Sequence, residues 1–214
     1  MYFPIFRGRQ FELLALRECV SRGILSNLII PIVEPVKVSS TYTKTVDSFI
    51  EANKAIAIIL NPQVGSWTKD LKKESNAKIR EQAIGQLKDV NVIPSFYVTP
   101  MLSACIKNAA QNGTDIESLL LLCNNPEYIG DYEEVIGDNT PLYNIIPDKG
   151  DFRRRIRLNR VMCEDHFPKQ TRNIDYLNID TEFFSSDHLY YMDDGYKGFS
   201  DYSVVGEEYS ETGF

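Results

Sequence analysis

Ala55-Ile56-Ala57-Ile58-Ile59-Leu60, followed at once by Asn61-Pro62, is the stretch that decides the fold. Six apolar residues in a row bury both faces of a strand, and the Asn-Pro pair then ends it. A strand apolar on both sides belongs in a parallel sheet covered by helices. An antiparallel sheet with one wet face would alternate instead.

Outward from this strand the same unit recurs. Upstream, Leu28 to Val33 is a run stopped by Glu34-Pro35, and Tyr2 to Phe6 reads as the first strand. Between them Gln10 to Arg22 is expected to be a helix with Phe11, Leu14, Ala15 and Leu16 inward. Tyr42 to Asn53 follows as a second helix, with Val46, Phe49 and Ile50 inward. Downstream, Lys69 to Leu87 reads as one long charged helix packing through Ile79, Ala83, Ile84 and Leu87. Val92 to Tyr97 is the fourth strand, and Met101 to Gln111 a helix stopped by Asn112-Gly113. Leu119 to Cys123 is the fifth strand, Glu127 to Ile136 a helix, Leu142 to Ile146 the sixth strand and Arg160 to Glu164 the seventh. The crossover between the last two is short and arginine-rich, with little room for a full helix. Asp180 to Met192 is expected as the next helix and Phe199 to Val205 as the eighth strand.

Alternating strands and helices with right-handed crossovers define an α/β fold, and eight strands suggest closure into a (β/α)8 barrel-like domain over residues 1–214. The chain stops soon after the eighth strand, so the barrel is expected to be incomplete at the C-terminus, truncated before its last helix. A doubly wound open parallel sheet is the architectural alternative, which periodicity alone does not separate.

Composition narrows the function classes. The 214 residues are 43% hydrophobic and 25% charged, the balance of one globular domain. No apolar run is long enough to cross a bilayer, and the N-terminus carries no basic leader, so a cytoplasmic protein is expected. With 23 basic and 30 acidic residues the net charge is −7, which argues against direct nucleic-acid binding. Cys19, Cys105, Cys123 and Cys163 lie in apolar stretches without C-x-x-C spacing, so neither a disulfide framework nor a zinc site is expected. Cys163 stands three residues from His166, weak grounds for a nucleophile pair.

In both architectures ligands bind at the carboxyl ends of the strands. Those ends carry Arg7, Arg9 and Glu12; Glu34 and Lys37; Asn61 and Gln63; Tyr97 and Thr99; Asn124 and Asn125; Asp148, Lys149, Asp151 and Arg153; Glu164, Asp165 and His166; and Asp201. Taken singly, most read equally well as turn residues. Arg7, Arg9 and Glu34 follow apolar strands directly, where a charge is rarely left unpaired, so either an ion pair between the first two strands or a ligand role is expected. Three chemistries follow. Arg7, Arg9 and Arg153 could clamp a phosphate or carboxylate. Asp148, Asp151, Glu164 and Asp165 could hold a hard cation, although no metal-ligand spacing supports it. Glu34 and Asp165 are the candidate catalytic acid and base. No phosphate-loop, dinucleotide or hydrolase motif is present, and no cofactor is indicated.

Three blocks resemble a known family. Pro4-Ile5-Phe6-Arg7-Gly8-Arg9-Gln10-Phe11-Glu12 with Ala15-Leu16-Arg17, then Ile30-Pro31-Ile32-Val33-Glu34, then Gly198-Phe199-Ser200-Asp201-Tyr202 are similar to the beta-protein family, named after a bacteriophage beta protein, and to its bacterial branch. The similarity spans the chain through short motifs. It implies a barrel-like fold in which Arg7, Arg9, Glu12, Glu34 and Asp201 match the family's polar positions, and a longer chain. For the bacterial branch it implies a place beside a nuclease-like companion in phage-defence neighbourhoods. It carries over no catalytic residue. Two functions are therefore expected: a ligand-sensing or interaction component acting with that companion, or an enzyme for an anionic small molecule or nucleotide bound through Arg7, Arg9, Glu12, Glu34, Asp148, Arg153 and Asp201.

Overall fold

The computed structural model describes residues 1–167, 170, 172–178 and 180–202. Eight strands form one sheet in chain order: β1 (Ile5–Phe6), β2 (Ile32–Val33), β3 (Ile56–Ile59), β4 (Val92–Tyr97), β5 (Leu120–Leu122), β6 (Tyr143–Ile146), β7 (Arg160–Cys163) and β8 (Gly198–Ser200). Every neighbouring pair is parallel. A doubly wound sheet reverses its strand order at a switch point. Here the order never reverses, so the sheet is singly wound and curls into a nearly closed (β/α)8 barrel.

The last seam differs from the other seven. β8 meets β1 through Phe3 N–H to the Phe199 carbonyl (2.9 Å), Ile5 N–H to Asp201 (2.8 Å) and Phe199 N–H to Met1 (3.0 Å). Two isolated bridges, Tyr2 with Phe199 and Ile5 with Tyr202, stand in place of a continuous ladder. The expected strand beyond residue 202 lies outside the described residues.

Side chains alternate across each strand, and β3 shows what that does to an unbroken apolar run. Ala57 and Ile59 point into the barrel with Phe3, Ile5, Ile32, Leu120 and Val161, while Ile56 and Ile58 point out under the helices with Val33, Val46 and Phe49. All four β3 residues are buried. Each of its three isoleucine side chains contributes about 1.5–3 kcal/mol by leaving water.

The outer layer comprises α1 (Gln10–Ser21), α2 (Ser40–Glu51), α3 (Trp67–Leu71), α4 (Ala77–Gln86), α5 (Leu102–Gln111), α6 (Ile129–Ile136), α7 (Gly150–Arg155) and α8 (Asp187–Tyr190). The inward face of α1 is Leu13, Leu16 and Val20; Phe11 is 82% exposed, so the expected face was rotated by part of a turn. The single helix expected from Lys69 to Leu87 is two, parted by a 3-10 turn at Glu74–Asn76. Lys72 to Asn76 offers nothing apolar to bury, and the Asn76 side-chain amide donates to the Asp70 carbonyl (2.9 Å), occupying an acceptor that a continuing helix would need. Ile84 faces solvent rather than the core. The helix expected from Asp180 to Met192 shrinks to α8, because Phe183 and Phe184 find no core and Gly195, at φ 79°, closes the following turn. As expected, the crossover into β7 holds only the six-residue α7. No helix among the described residues is long and apolar enough to cross a membrane.

The seam has one tight point. A Cβ added at Gly198 would lie 2.6 Å from the Met1 carbonyl oxygen and 2.7 Å from the Phe3 ring. Gly198→Ala should therefore lower the unfolding free energy by about 1–3 kcal/mol in urea titration. An unchanged midpoint would show that the seam yields freely.

Candidate functional site

At the carboxyl ends of the strands a carboxylate is buried with no exposure at all: Glu34, the residue after β2. Its backbone N–H donates to the Phe6 carbonyl (2.8 Å), continuing the β1–β2 pairing one step past the ladder. One carboxylate oxygen pairs with the Arg7 guanidinium from β1 and accepts the Tyr97 hydroxyl from β4 (3.0 Å). The other accepts the backbone N–H of Gln63, in the loop after β3 (2.7 Å). The Arg7 guanidinium in turn lies 5.0 Å from the ring centre of Tyr202, just past β8. The ion pair expected between the first two strands is thus present, and two more strands and a loop join it.

Local backbone chemistry makes this possible. Gly8 has φ 61°, and a Cβ there would sit 2.9 Å from the Glu34 carbonyl oxygen. Only glycine lets the chain turn left-handed directly after Arg7 while lying against the end of β2. Asn61 ties β3 to β4, accepting from Tyr97 N–H (2.8 Å) and donating to the Tyr97 carbonyl (2.9 Å). The electrostatics follow from the packing. Burial, reinforced by the neighbouring Glu34 charge, pushes the Tyr97 hydroxyl well above the usual tyrosine value. Burial opposes the Arg7 charge, but Tyr97 and Glu34 more than offset it, so the guanidinium is held above its ordinary range.

Above this base the mouth opens into two adjoining cavities that share Tyr97, Asn124 and Tyr202. One, of about 470 Å³, adds Arg7, Gln63, Thr99, Asn125 and Tyr128. The other, of about 270 Å³, adds Cys163, Lys149, Glu164 and Asp165. Of the residues expected to form a site, Arg7 and Asp165 therefore line this opening, and Glu34 lies beneath it against Arg7.

The rest do not. Asp148 lines neither cavity; it accepts the Tyr196 hydroxyl (2.6 Å) and pairs with Arg153 (3.3 Å) on the outer side of β6. The three arginines of the expected clamp thus stand in separate groups: Arg7 with Glu34, Arg153 with Asp148, and Arg9 at the start of α1. The Arg9 backbone N–H donates to Glu12 (2.8 Å), which gives Glu12 the role of a helix-capping carboxylate. Asp201 accepts the Tyr2 hydroxyl (2.7 Å) at the seam, where burial raises its carboxyl pKa. His166 pairs with Asp187 (2.7 Å) rather than with Cys163. Among the described residues no three His, Cys, Asp or Glu side chains gather closely enough to hold a metal ion.

Sequence reasoning named Tyr97, Gln63 and Asn124 at strand ends but did not place them in the site, and it met Tyr202 only at the end of the third family-like block. Strand parity would have found them. Tyr97 continues the inward series Ile93, Ser95, and Tyr202 continues Gly198, Ser200, whereas Asp201 shares its side with Phe199 and Asp148 with Ile146.

Fold and mouth together define a class: a singly wound (β/α)8 barrel-like protein with a buried ion pair under a polar opening. Comparisons with protein-family models, with curated proteins and with solved structures find no match to this chain.

Two outcomes test the electrostatics. Glu34→Ala removes the carboxylate paired with the buried Arg7 charge and should cost about 3–5 kcal/mol of stability. The double change Arg7→Met with Glu34→Met should cost less than that single one, because no charge is then stranded. For Asp201, a carboxyl whose folded pKa is raised binds protons more readily folded than unfolded. Its unfavourable contribution therefore appears as pH rises from about 4 through the folded value. Asp201→Asn should match the parent in chemical denaturation below about pH 4 and exceed it at pH 7. A gap that does not change with pH would mean the carboxyl titrates normally.

Proposed function

We propose that this chain is a cytoplasmic ligand-sensing barrel that receives a small molecule at its carboxyl-end mouth. Following its resemblance to the beta-protein family, we further propose that it works with a companion nuclease-like protein in bacterial phage defence. The observation that supports sensing is the construction of the mouth: two joined cavities above a buried base in which Arg7 and Glu34 are paired. Glu34 accepts three hydrogen bonds and Arg7 is engaged by Glu34 and Tyr202. Such a base is rigid before any ligand arrives, which lowers the ordering cost of binding. It is also poorly suited to moving protons, since the candidate base Glu34 has both oxygens committed and no exposure. That weighs binding above the alternative of an enzyme acting on an anionic small molecule or nucleotide.

Adding the small-molecule fraction of phage-infected bacteria to the purified chain should raise its melting temperature by several degrees, about 1–3 kcal/mol of linkage at tens of times the dissociation constant. Tyr202→Ala should remove that rise. The companion encoded beside the gene should co-purify with the parent chain. No shift with infected or uninfected fractions, and a monomer indifferent to the companion, would sink the proposal.

A further inference from the structure

Resting on the reading of the mouth as a ligand site, we infer that its ligand is an uncharged ring bearing neighbouring hydroxyls, a nucleoside or a free sugar, and not a phosphorylated or carboxylated molecule. The argument is one of charge placement. An anion site needs cations that are not already neutralised. Among the described residues, the cationic side chains lining this mouth are Arg7 and Lys149; Glu164 and Asp165 line it with them, and Glu34 lies buried against Arg7 beneath it. Arg7 is matched at its own position by Glu34. The smaller cavity sets Lys149 against both Glu164 and Asp165. A phosphate, carrying between one and two negative charges, would enter a region of the same sign.

The remaining groups are those that read a neutral polar ring. Carboxylates accept hydrogen bonds only; Glu164 already accepts the Asp148 N–H (2.6 Å) and Asp165 the Phe167 N–H (3.1 Å), and the further acceptor capacity of two carboxylates suits a partner that donates, such as a pair of hydroxyls. Asn124, Asn125 and Gln63 bring carboxamides, which donate and accept at once and match the edges of a base or a pyranose. Tyr97, Tyr128 and Tyr202 bring aromatic rings to the lining, the amphipathic kind of wall that a flat or chair-shaped polar ligand packs against. The cavities adjoin at Tyr97, Asn124 and Tyr202, so a two-part molecule can place its hydroxyls at the carboxylates and its second ring among the tyrosines and amides.

The test is calorimetric titration of the whole chain with adenosine, uridine and glucose. Each is paired with its phosphorylated form: adenosine monophosphate, uridine monophosphate and glucose 6-phosphate. At least one neutral probe should bind, and its phosphorylated form should bind tenfold or more weakly. Asp165→Asn should narrow that gap by severalfold, and Tyr128→Ala should weaken both members of the pair while circular dichroism stays that of the parent. Binding by the nucleosides alone assigns the base-bearing source, and binding by glucose as well assigns the sugar. Phosphorylated probes that bind as tightly as neutral ones, or a gap untouched by Asp165→Asn, overturn the inference. Silence of every neutral probe also overturns it. If the infected-cell fraction still raises the melting temperature, ligand sensing survives that result; if it does not, both fall together.

Discussion

A carboxylate withdrawn completely from water must find partners for both oxygens or give up its charge, and Glu34 is withdrawn completely. Its partners come from β1, from β4 and from the loop after β3. Each approach fixes something else. Arg7 can reach it only because Gly8 turns the chain sharply against β2. Tyr97 can reach it only in the register that Asn61 holds between β3 and β4. Tyr202 takes its place because the Arg7 guanidinium offers a flat cation to an aromatic face. The mouth is therefore organised around a desolvation problem, and its solution leaves the upper rim free to be shaped by tyrosines and amides.

Around residues 153–160 the arginines are drawn to separate partners. Arg153 is drawn to Asp148, Arg155 to Glu133 on α6, and Arg160 lies 5.0 Å from the ring centre of Tyr196. These pairings fasten the short α7 crossover to its neighbours, where a longer helix would have used apolar packing. The arginines thus help hold the outer layer where its hydrophobic contact is thin.

Much of this could be read from the residues. Runs such as Ile56 to Ile59, apolar without interruption, have few homes other than a parallel sheet buried on both sides, and their spacing gave the strand count. Helix faces were less legible. Phe11 is as apolar as Leu13, yet only position along the helix, set by where Arg9 begins it, decides which meets β2. The candidate site was half visible for a related reason. Charged residues draw attention wherever they fall, so Asp148 and Asp201 were weighed beside Arg7 and Glu34. What sorts them is the two-residue alternation of the strand that delivers each one. Tyr202 escaped because an aromatic near the end of the chain reads first as packing. The split between α3 and α4 depended on one side-chain amide reaching back to a carbonyl, a contact that periodicity does not encode.

The thin seam between β8 and β1 gives the barrel unequal stiffness around its circumference. Seven joints are laced by continuous ladders, while among the described residues the eighth has two isolated bridges with their backbone bonds, supplemented by the Ser200 hydroxyl on the Phe3 carbonyl and the Tyr2 hydroxyl on Asp201. A closed hoop strained from within widens first where it is most compliant. Tyr202 belongs to that joint through its bridge to Ile5, and to the mouth through Arg7 and both cavities. One residue thus serves as a hinge pin between wall and doorway: the Tyr202 backbone stands in the joint and its ring in the opening.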